Sequence, residues 1–307
     1  MVINGNALLI PLASKCVHTI VTSPPYYGHR QYGIGTDNGE IGLEQSPDEY
    51  IINLVNVFRE CKRVLRDDGT LWVNIGDSYA HSLRQAGEKY AGNMTRNSKG
   101  VIVSGYKPLQ EGYKEKDLIG ISWMLAFALQ VDGWYLRQDI IWAKPNPMPE
   151  SVKDRCTRSH EYIFLLSKSR RYYYNSDAIK EPYVSKPQPP RNKSVEDWNN
   201  SFPGGRTSSG AHDYYANGGK NKRDVWTVTV KPYKGAHYAT FNPELIKPCI
   251  LAGAPEGGVV FDPFVGSGTT VATAIQLGRN GIGLDLSLKY LYNNAKVRIE
   301  QTKMETK

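Results

Sequence analysis

Two short segments near opposite ends of the chain carry the residue types that could do chemistry. The first is Thr22-Ser23-Pro24-Pro25-Tyr26. Its two successive prolines remove two backbone N–H groups and stiffen the turn, so the carbonyls and the Ser23 hydroxyl are left as acceptors, while Tyr26 adds a flat aromatic face. The second runs from Phe261 to Thr270, FDPFVGSGTT. There Gly258-Val259-Val260-Phe261 is a β-rich run, and Gly266 and Gly268 supply a turn whose backbone can approach a ligand closely. Thr269 to Leu277 then has helix-compatible apolar spacing up to Gly278. This is the β-loop-α entry of a nucleotide fold. Neither Lys nor Arg occurs between Phe261 and Gly278, so a phosphate loop of the G-x-x-x-x-G-K-[ST] type is excluded and a nucleoside without phosphates is the expected ligand. The dinucleotide fingerprint fits poorly, because Val271 stands where its third glycine belongs. Gly281-Ile282-Gly283-Leu284-Asp285 forms a second strand ending in a carboxylate, the usual place for gripping ribose hydroxyls. Taken singly, the proline peptide reads as a surface turn, Asp262 as a helix-flanking residue and Asp285 as a strand-end carboxylate. Their joint occurrence on successive β-loop-α units favours a site.

With these residues in view, the chain resembles the beta class of DNA amino-methyltransferases. DPFVGSGTT and GIGLDLS resemble that family's S-adenosyl-L-methionine motifs, and Ser23-Pro24-Pro25-Tyr26 its catalytic [D/N/S]-P-P-[Y/F] motif; catalytic motif first and cofactor motif last is the permuted order of the class. The likeness includes Gly5 to Leu8, Asp68 to Asp77, Ile141 to Pro145, His160 to Lys168 and His237 to Pro243, leaving out only about residues 80–113 and 184–224. It implies that Ser23, Pro24, Pro25 and Tyr26 are catalytic. It also implies that Thr240, Phe241, Asp262, Pro263, Phe264, Gly266, Ser267, Gly268, Thr269 and Asp285 hold S-adenosyl-L-methionine. No metal is implied. The chemistry suits such a loop: an exocyclic amine is a poor nucleophile because its lone pair is delocalised into the ring, so acceptors must hold the nitrogen with a localised pair. The target base must first be flipped out of the duplex to meet them, at a cost of a few kcal/mol. Ser at the head of the motif goes in this family with cytosine N4, and Asp with adenine N6. N4-cytosine methylation is therefore the reading, with N6-adenine as the runner-up and an inactive DNA-binding protein of the same fold as the reading from another class. RNA and protein-glutamine methyltransferases carry their cofactor motif before the catalytic one, opposite to the order here. Double-stranded DNA is the expected partner, and the resemblance leaves room for a cognate restriction endonuclease of a restriction-modification pair and for a homodimer.

The elements that must position these residues follow from periodicity. Val17 to Thr22 reads as a buried strand ending at the proline loop, and Ser46-Pro47-Asp48-Glu49 as a capping box with Pro at the first helical position. Ile51, Leu54, Val55, Phe58, Cys61 and Leu65 continue that helix until Gly69 stops it. Leu71 to Ile75 is the next strand, Ile119 to Val131 a helix, and Tyr135 to Trp142 and Tyr162 to Ser167 strands, with a further strand at Arg171 to Tyr174. Asn242 caps a helix led by Pro243, with Leu245, Ile246, Cys249 and Ile250 on its apolar face, and the last helix spans Leu288 to about Ile299. The alternation predicts an α/β fold, a doubly wound and mainly parallel sheet of the Rossmann-like methyltransferase type. Ligands in such sheets sit beyond the carboxyl ends of the strands, where Ser23, Asp262 and Asp285 all fall.

The domain reading is a catalytic half at 1–183 with a loop insertion at about 80–113, a target-recognition region at 184–230 and a cofactor half at 231–307. The recognition stretch is long and basic, with Trp198, Phe202, Tyr214 and Tyr215 interspersed; its Lys and Arg suit phosphates, and its Asn, Arg and His suit base edges. The excess of 38 Lys and Arg over 30 Asp and Glu gives a net charge of +8, which suits a polyanionic partner. Cys16, Cys61, Cys156 and Cys249 are widely spaced with no C-x-x-C pair, so neither a zinc site nor a disulfide framework is implied. Pro248-Cys249 superficially matches the nucleophile of carbon-5 cytosine methyltransferases, but it precedes the cofactor motif and falls on the apolar helix face, so a core thiol is expected. With neither a signal pattern nor an apolar run of membrane length, a cytoplasmic protein is expected.

Overall fold

The run Val17–Thr22 (β2) is buried along almost its whole length, as a strand flanked on both sides and covered on both faces must be. In the computed structural model, which describes residues 1–28, 40–80, 112–182, 219–230 and 242–306, β2 is hydrogen-bonded in parallel to Leu65–Ile75 (β3) on one side and Val259–Asp262 (β7) on the other. Beyond β7 lie Asn280–Asp285 (β8) and the edge strand Val2–Asn4 (β1), both parallel. Beyond β3 lie His160–Ser167 (β5), Tyr135–Ala143 (β4) and Val225–Thr227 (β6). The sheet order is β1-β8-β7-β2-β3-β5-β4-β6. β5 runs antiparallel to both β3 and β4, and β6 is parallel to β4. The mainly parallel sheet is therefore as expected, with β5 as its reversed strand. The short edge strands β1 and β6 carry too few residues to show a periodicity.

Helix α1 (Pro47–Val64) begins as its sequence dictates. Ser46 accepts the Glu49 N–H at 3.1 Å and Pro47 occupies the first turn, while the Glu49 carboxylate takes the Gln45 N–H at 3.0 Å, one residue before the usual capping-box partner. It ends at Val64, and the expectation that it continues to Gly69 is corrected: Leu65 is already extended and pairs with Val17 in β3. Gly69 serves close packing instead. A Cβ there would lie 2.5 Å from Leu65 Cγ and 2.9 Å from the His18 carbonyl oxygen.

Helix α2 (Ile121–Val131) follows Gly120, which has φ 86° and no side chain to cap with. Asp77, just past the end of β3, supplies the cap from a distance, its Oδ1 accepting the N–H groups of Gly120 and Ile121 at 2.9 Å each. Leu71, Val73 and Ile75 pack with Leu54, Phe58, Leu125 and Phe164 in the core under α1 and α2. Helix α3 (Pro243–Gly253), capped by Asn242, covers the other face, where a Cβ on Gly253 would overlap Thr19 Oγ1. Cys249 is fully buried, as expected of a core thiol. Helix α4 (Thr269–Gln276) follows the glycine loop. The chain then passes from Leu288–Tyr290 (α5) through a π-helical segment, Leu291–Ala295, into Lys296–Glu305 (α6), farther than the expected end near Ile299.

Arg171 to Tyr174 forms no strand, which corrects the expectation: the Tyr173 N–H bonds the Asp68 carbonyl at 2.8 Å and Tyr174 stacks on Trp72. By packing, Met1–Tyr174 with Asp224–Lys307 is one compact unit and Asn175–Arg223 another. In the second unit, Glu181 and Lys220 exchange two backbone hydrogen bonds of 2.9 Å, and the Glu181 carboxylate lies 2.9 Å from Arg223 and 3.8 Å from both Lys220 and Lys222. Most of the expected insertion at 80–113, and Trp198, Phe202, Tyr214 and Tyr215 of the recognition stretch, lie outside the described residues. Among the described residues no helix is long and apolar enough to cross a membrane.

Candidate active site

Because β2 and β7 are parallel neighbours, with Thr19 opposite Val260 and Ile20 opposite Phe261, the loops that leave them emerge side by side. Asp262 closes the gap between them. Its Oδ1 accepts the Thr22 hydroxyl at 2.6 Å and the Phe264 N–H at 3.0 Å, and its Oδ2 accepts the Thr270 hydroxyl at 2.7 Å. It is only 2% exposed. Desolvation pushes its carboxyl up to about 6, against the pull of the bonds from Thr22, Thr270 and Phe264. Its contacts are thus all within the protein, tying the Ser23 strand to the glycine loop.

The glycine loop is shaped from within and braced from behind. Gly266 has φ 47° and Gly268 φ 81°, a left-handed conformation that glycine adopts without the penalty other residues carry. A Cβ on Gly268 would also lie 2.9 Å from Ala295 Cα. The Gly266 N–H reaches Asp285 Oδ2 at 3.0 Å, and the Ser287 N–H reaches Oδ1 at 2.8 Å. Burial raises the Asp285 carboxyl above its ordinary value, opposed by these two N–H groups. Each Asp285 oxygen accepts one of these backbone bonds, and a carboxylate oxygen has lone-pair room for a second donor. Ser267 and Thr269 are buried, and their hydroxyls are held by Arg298 of α6, so both side chains serve as the loop's support. Pro263 is buried, and Phe264 and Gly266 are half-buried. Thr240 and Phe241 lie outside the described residues.

In the proline loop Pro24 is buried and Ser23, Pro25 and Tyr26 are half-buried. The Pro25 carbonyl accepts the Tyr50 hydroxyl at 2.8 Å, which uses one of its two lone pairs; the carbonyls of Ser23 and Pro24 and the Ser23 hydroxyl, which also bonds Tyr26, are the loop's other acceptors. Tyr26 is held on two sides. Its ring lies where a Cβ on Gly76 would be, 2.6 Å from Cε2, and its hydroxyl donates to Glu161 Oε2 at 2.7 Å. Burial first, and the nearby Glu161 carboxylate second, keep the phenol well above its ordinary pKa.

Sequence reasoning quoted Asn74, Gly76, Asp77, Lys144 and Glu161 only as parts of similar segments and gave them no role. The structure brings Asn74, Gly76, Lys144 and Glu161 to the Tyr26 side of the site. A signal was present, since Asn74 is a polar interruption of the apolar run LWVNI and a polar group in a buried strand needs a partner; Glu161 stands at the polar start of its strand and gives no such signal.

The profile of the DNA methylase family matches residues 17–296. The Type II methyltransferase M.SmaI of Serratia marcescens is 46% identical over 288 residues, 94% of this chain and 86% of that protein. Among solved structures, the Thermus thermophilus protein TTHA0409, in complex with S-adenosyl-L-methionine, aligns with a TM-score of 0.59 at 20% identity over 98% of this chain and 93% of its own. The cytosine-N4-specific PvuII DNA methyltransferase aligns with a TM-score of 0.59 at 15% identity over 99% and 91%. At those identities the two structures speak to the fold, a methyltransferase-type sheet. With a profile match over most of its length, and with the proline loop and the glycine loop on neighbouring parallel strands, the chain belongs to the N6/N4 DNA methylase family.

Proposed function

We propose that the protein transfers a methyl group from S-adenosyl-L-methionine to the exocyclic N4 amine of a cytosine flipped out of double-stranded DNA. The observation that carries this reading is the Thr22–Asp262 hydrogen bond, which holds an acceptor-rich proline loop beside a glycine loop free of cations. The residues present suit the cofactor. A loop with left-handed glycines admits a nucleoside close to the backbone, its lack of Lys and Arg fits a ligand without phosphates, and Asp285 at the end of β8 has acceptor capacity for ribose hydroxyls. When bound, S-adenosyl-L-methionine supplies an electrophilic methyl on a cationic sulfonium.

The chain's own residues would orient and activate the amine. Ser23 Oγ and the carbonyls of Ser23 and Pro24 accept its N–H groups and favour a localised lone pair, while Tyr26 offers a ring on which the flipped base stacks. Positioning and fixed dipoles would then be the main sources of acceleration. The Ser head of the proline motif supports cytosine over adenine. The decisive experiment incubates the protein with S-adenosyl-L-methionine labelled in its methyl group and unmethylated DNA of varied sequence, then digests to nucleosides and identifies the labelled one by mass spectrometry. N4-methylcytosine is expected. N6-methyladenine would move the assignment to the other base of the family, and absence of label with DNA and cofactor both bound would favour an inactive DNA-binding protein.

A further inference from the structure

The Tyr26 hydroxyl ends on a chain of polar groups that the methyl-transfer reading does not use. Glu161 Oε2 accepts from Tyr26 at 2.7 Å and from Asn74 Nδ2 at 3.3 Å, and Asn74 Nδ2 also donates to the Tyr162 carbonyl at 3.0 Å. Glu161 Oε1 is paired with Lys144, whose ammonium lies 4.3 Å from the centroid of the Trp142 ring. The pair is carried by the β4–β5 hairpin, where Trp142 is the partner of Glu161 and the Lys144 N–H bonds the Ser159 carbonyl at 2.7 Å. Lys144 is 17% exposed and Glu161 15%. Taking two ions this far out of water costs about as much as their attraction returns, so such a pair is a poor explanation of stability and a better one of geometry.

We propose that Glu161, oriented by Lys144, is a positioning residue that fixes the Tyr26 ring, and through it the target base stacked on that ring, during methyl transfer; the inference rests on the function proposed above. A carboxylate has only acceptors, so Tyr26 must donate to it and the hydrogen bond has one direction. Its charge makes the bond stronger than one to a neutral acceptor. Lys144 holds the opposite oxygen and thereby fixes the carboxylate plane. Gly76 leaves room for the ring beside Glu161. The Tyr26 ring thus lies close to Gly76 on its Cδ2–Cε2 side and is held at its hydroxyl by Glu161.

The test measures kcat, KM for DNA, cofactor affinity and the fluorescence of a base analogue at the target position, in wild type, Y26F, E161Q, Y26F/E161Q and E161Q/K144M. Thermal melting checks that each is folded. E161Q should lower kcat by about tenfold to a hundredfold, as a small misplacement of a reacting group does, with cofactor affinity little changed and analogue fluorescence altered. In the Y26F background the same substitution should cost much less, since the hydroxyl it holds is gone and only the disturbance of Lys144 and Asn74 remains. E161Q/K144M, which removes the stranded ammonium, should recover part of the loss. Equal losses from E161Q in both backgrounds, or an undiminished kcat in E161Q beside an active wild type, would overturn the positioning role. A wild type that transfers label to no DNA would instead overturn the reaction on which it rests.

Discussion

The Thr22 hydroxyl donates to Asp262 Oδ1 at 2.6 Å across a sequence separation of 240 residues, both groups buried at the carboxyl ends of neighbouring parallel strands. Thr22 immediately precedes Ser23, and Asp262 opens the glycine loop. One hydrogen bond therefore couples the position of the proline loop to that of the glycine loop. Thr22→Val keeps the shape and removes the donor, and it should cost about 1–3 kcal/mol of stability while lowering both cofactor affinity and turnover. Thr22→Ser, which retains the hydroxyl, should restore most of each. Denaturant unfolding and labelled-methyl transfer read the two effects, and a Val variant equal to wild type in both would show that the strands alone set the loops.

Asp262 should also leave a signature in the pH dependence of stability. Its carboxyl rises from an ordinary 3.8 to about 6 in the fold, chiefly through desolvation. A group that binds its proton more tightly when folded favours the folded state at low pH. That contribution is complete below about 3.8 and is lost as the pH rises through about 6, a swing of about 3 kcal/mol. Asp262→Asn does not titrate, so the stability of wild type relative to this variant should fall between pH 4 and pH 7. Urea unfolding of both proteins across that range checks it, and a constant difference would mean that the carboxylate is solvated in the folded state.

Ser23→Ala and Tyr26→Ala should cut turnover far more than cofactor affinity, because both residues belong to the loop assigned to the base. Removing one such acceptor or stacking face is expected to cost about a hundredfold or more in kcat. Cofactor binding by calorimetry should stay within a fewfold of wild type. Undiminished turnover in both variants would remove the proline loop from the chemistry.

Asp285→Ala should do the reverse. Its carboxylate organises the Gly266 and Ser287 N–H groups at 3.0 and 2.8 Å and is the acceptor assigned to the ribose, so its loss should raise the dissociation constant for S-adenosyl-L-methionine by about tenfold or more. Saturating cofactor should bring much of the turnover back. If the dissociation constant is unchanged, the ribose assignment for Asp285 is wrong.

What could be read from the sequence was what local pattern encodes. The apolar run of β2, the Ser46 cap, the Asn242 cap and the glycine turn each declare themselves within a few residues, and the order of proline loop and glycine loop gave the site its two halves. The Tyr26–Glu161–Lys144 chain did not declare itself, because it depends on β5 reversing direction and bringing Glu161 level with Trp142 of β4. Asp77 was missed for a related reason: it caps a helix that begins 44 residues later, so no capping spacing links the two. Ser267 and Thr269, read from resemblance as cofactor residues, have hydroxyls bonded to Arg298 of α6, an interaction that no motif contains.

Gly69 was read as a helix stop because glycine commonly ends helices, and the structure gives it a packing role instead. Its missing Cβ leaves space for Leu65 Cγ at 2.5 Å and the His18 carbonyl oxygen at 2.9 Å. Leu65 is fully buried and His18 belongs to β2, so neither neighbour can move without disturbing the strand that leads to Ser23. Gly69→Ala should therefore destabilise the protein by about 1–3 kcal/mol, as overpacking of a tight core does. If the site itself is undisturbed, methyl transfer per folded molecule should be retained at low temperature, which separates this variant from Ser23→Ala. Denaturant unfolding is the measurement. A helix-stop role predicts a different result, because an alanine at the end of a helix would extend α1 and leave stability unchanged or improved.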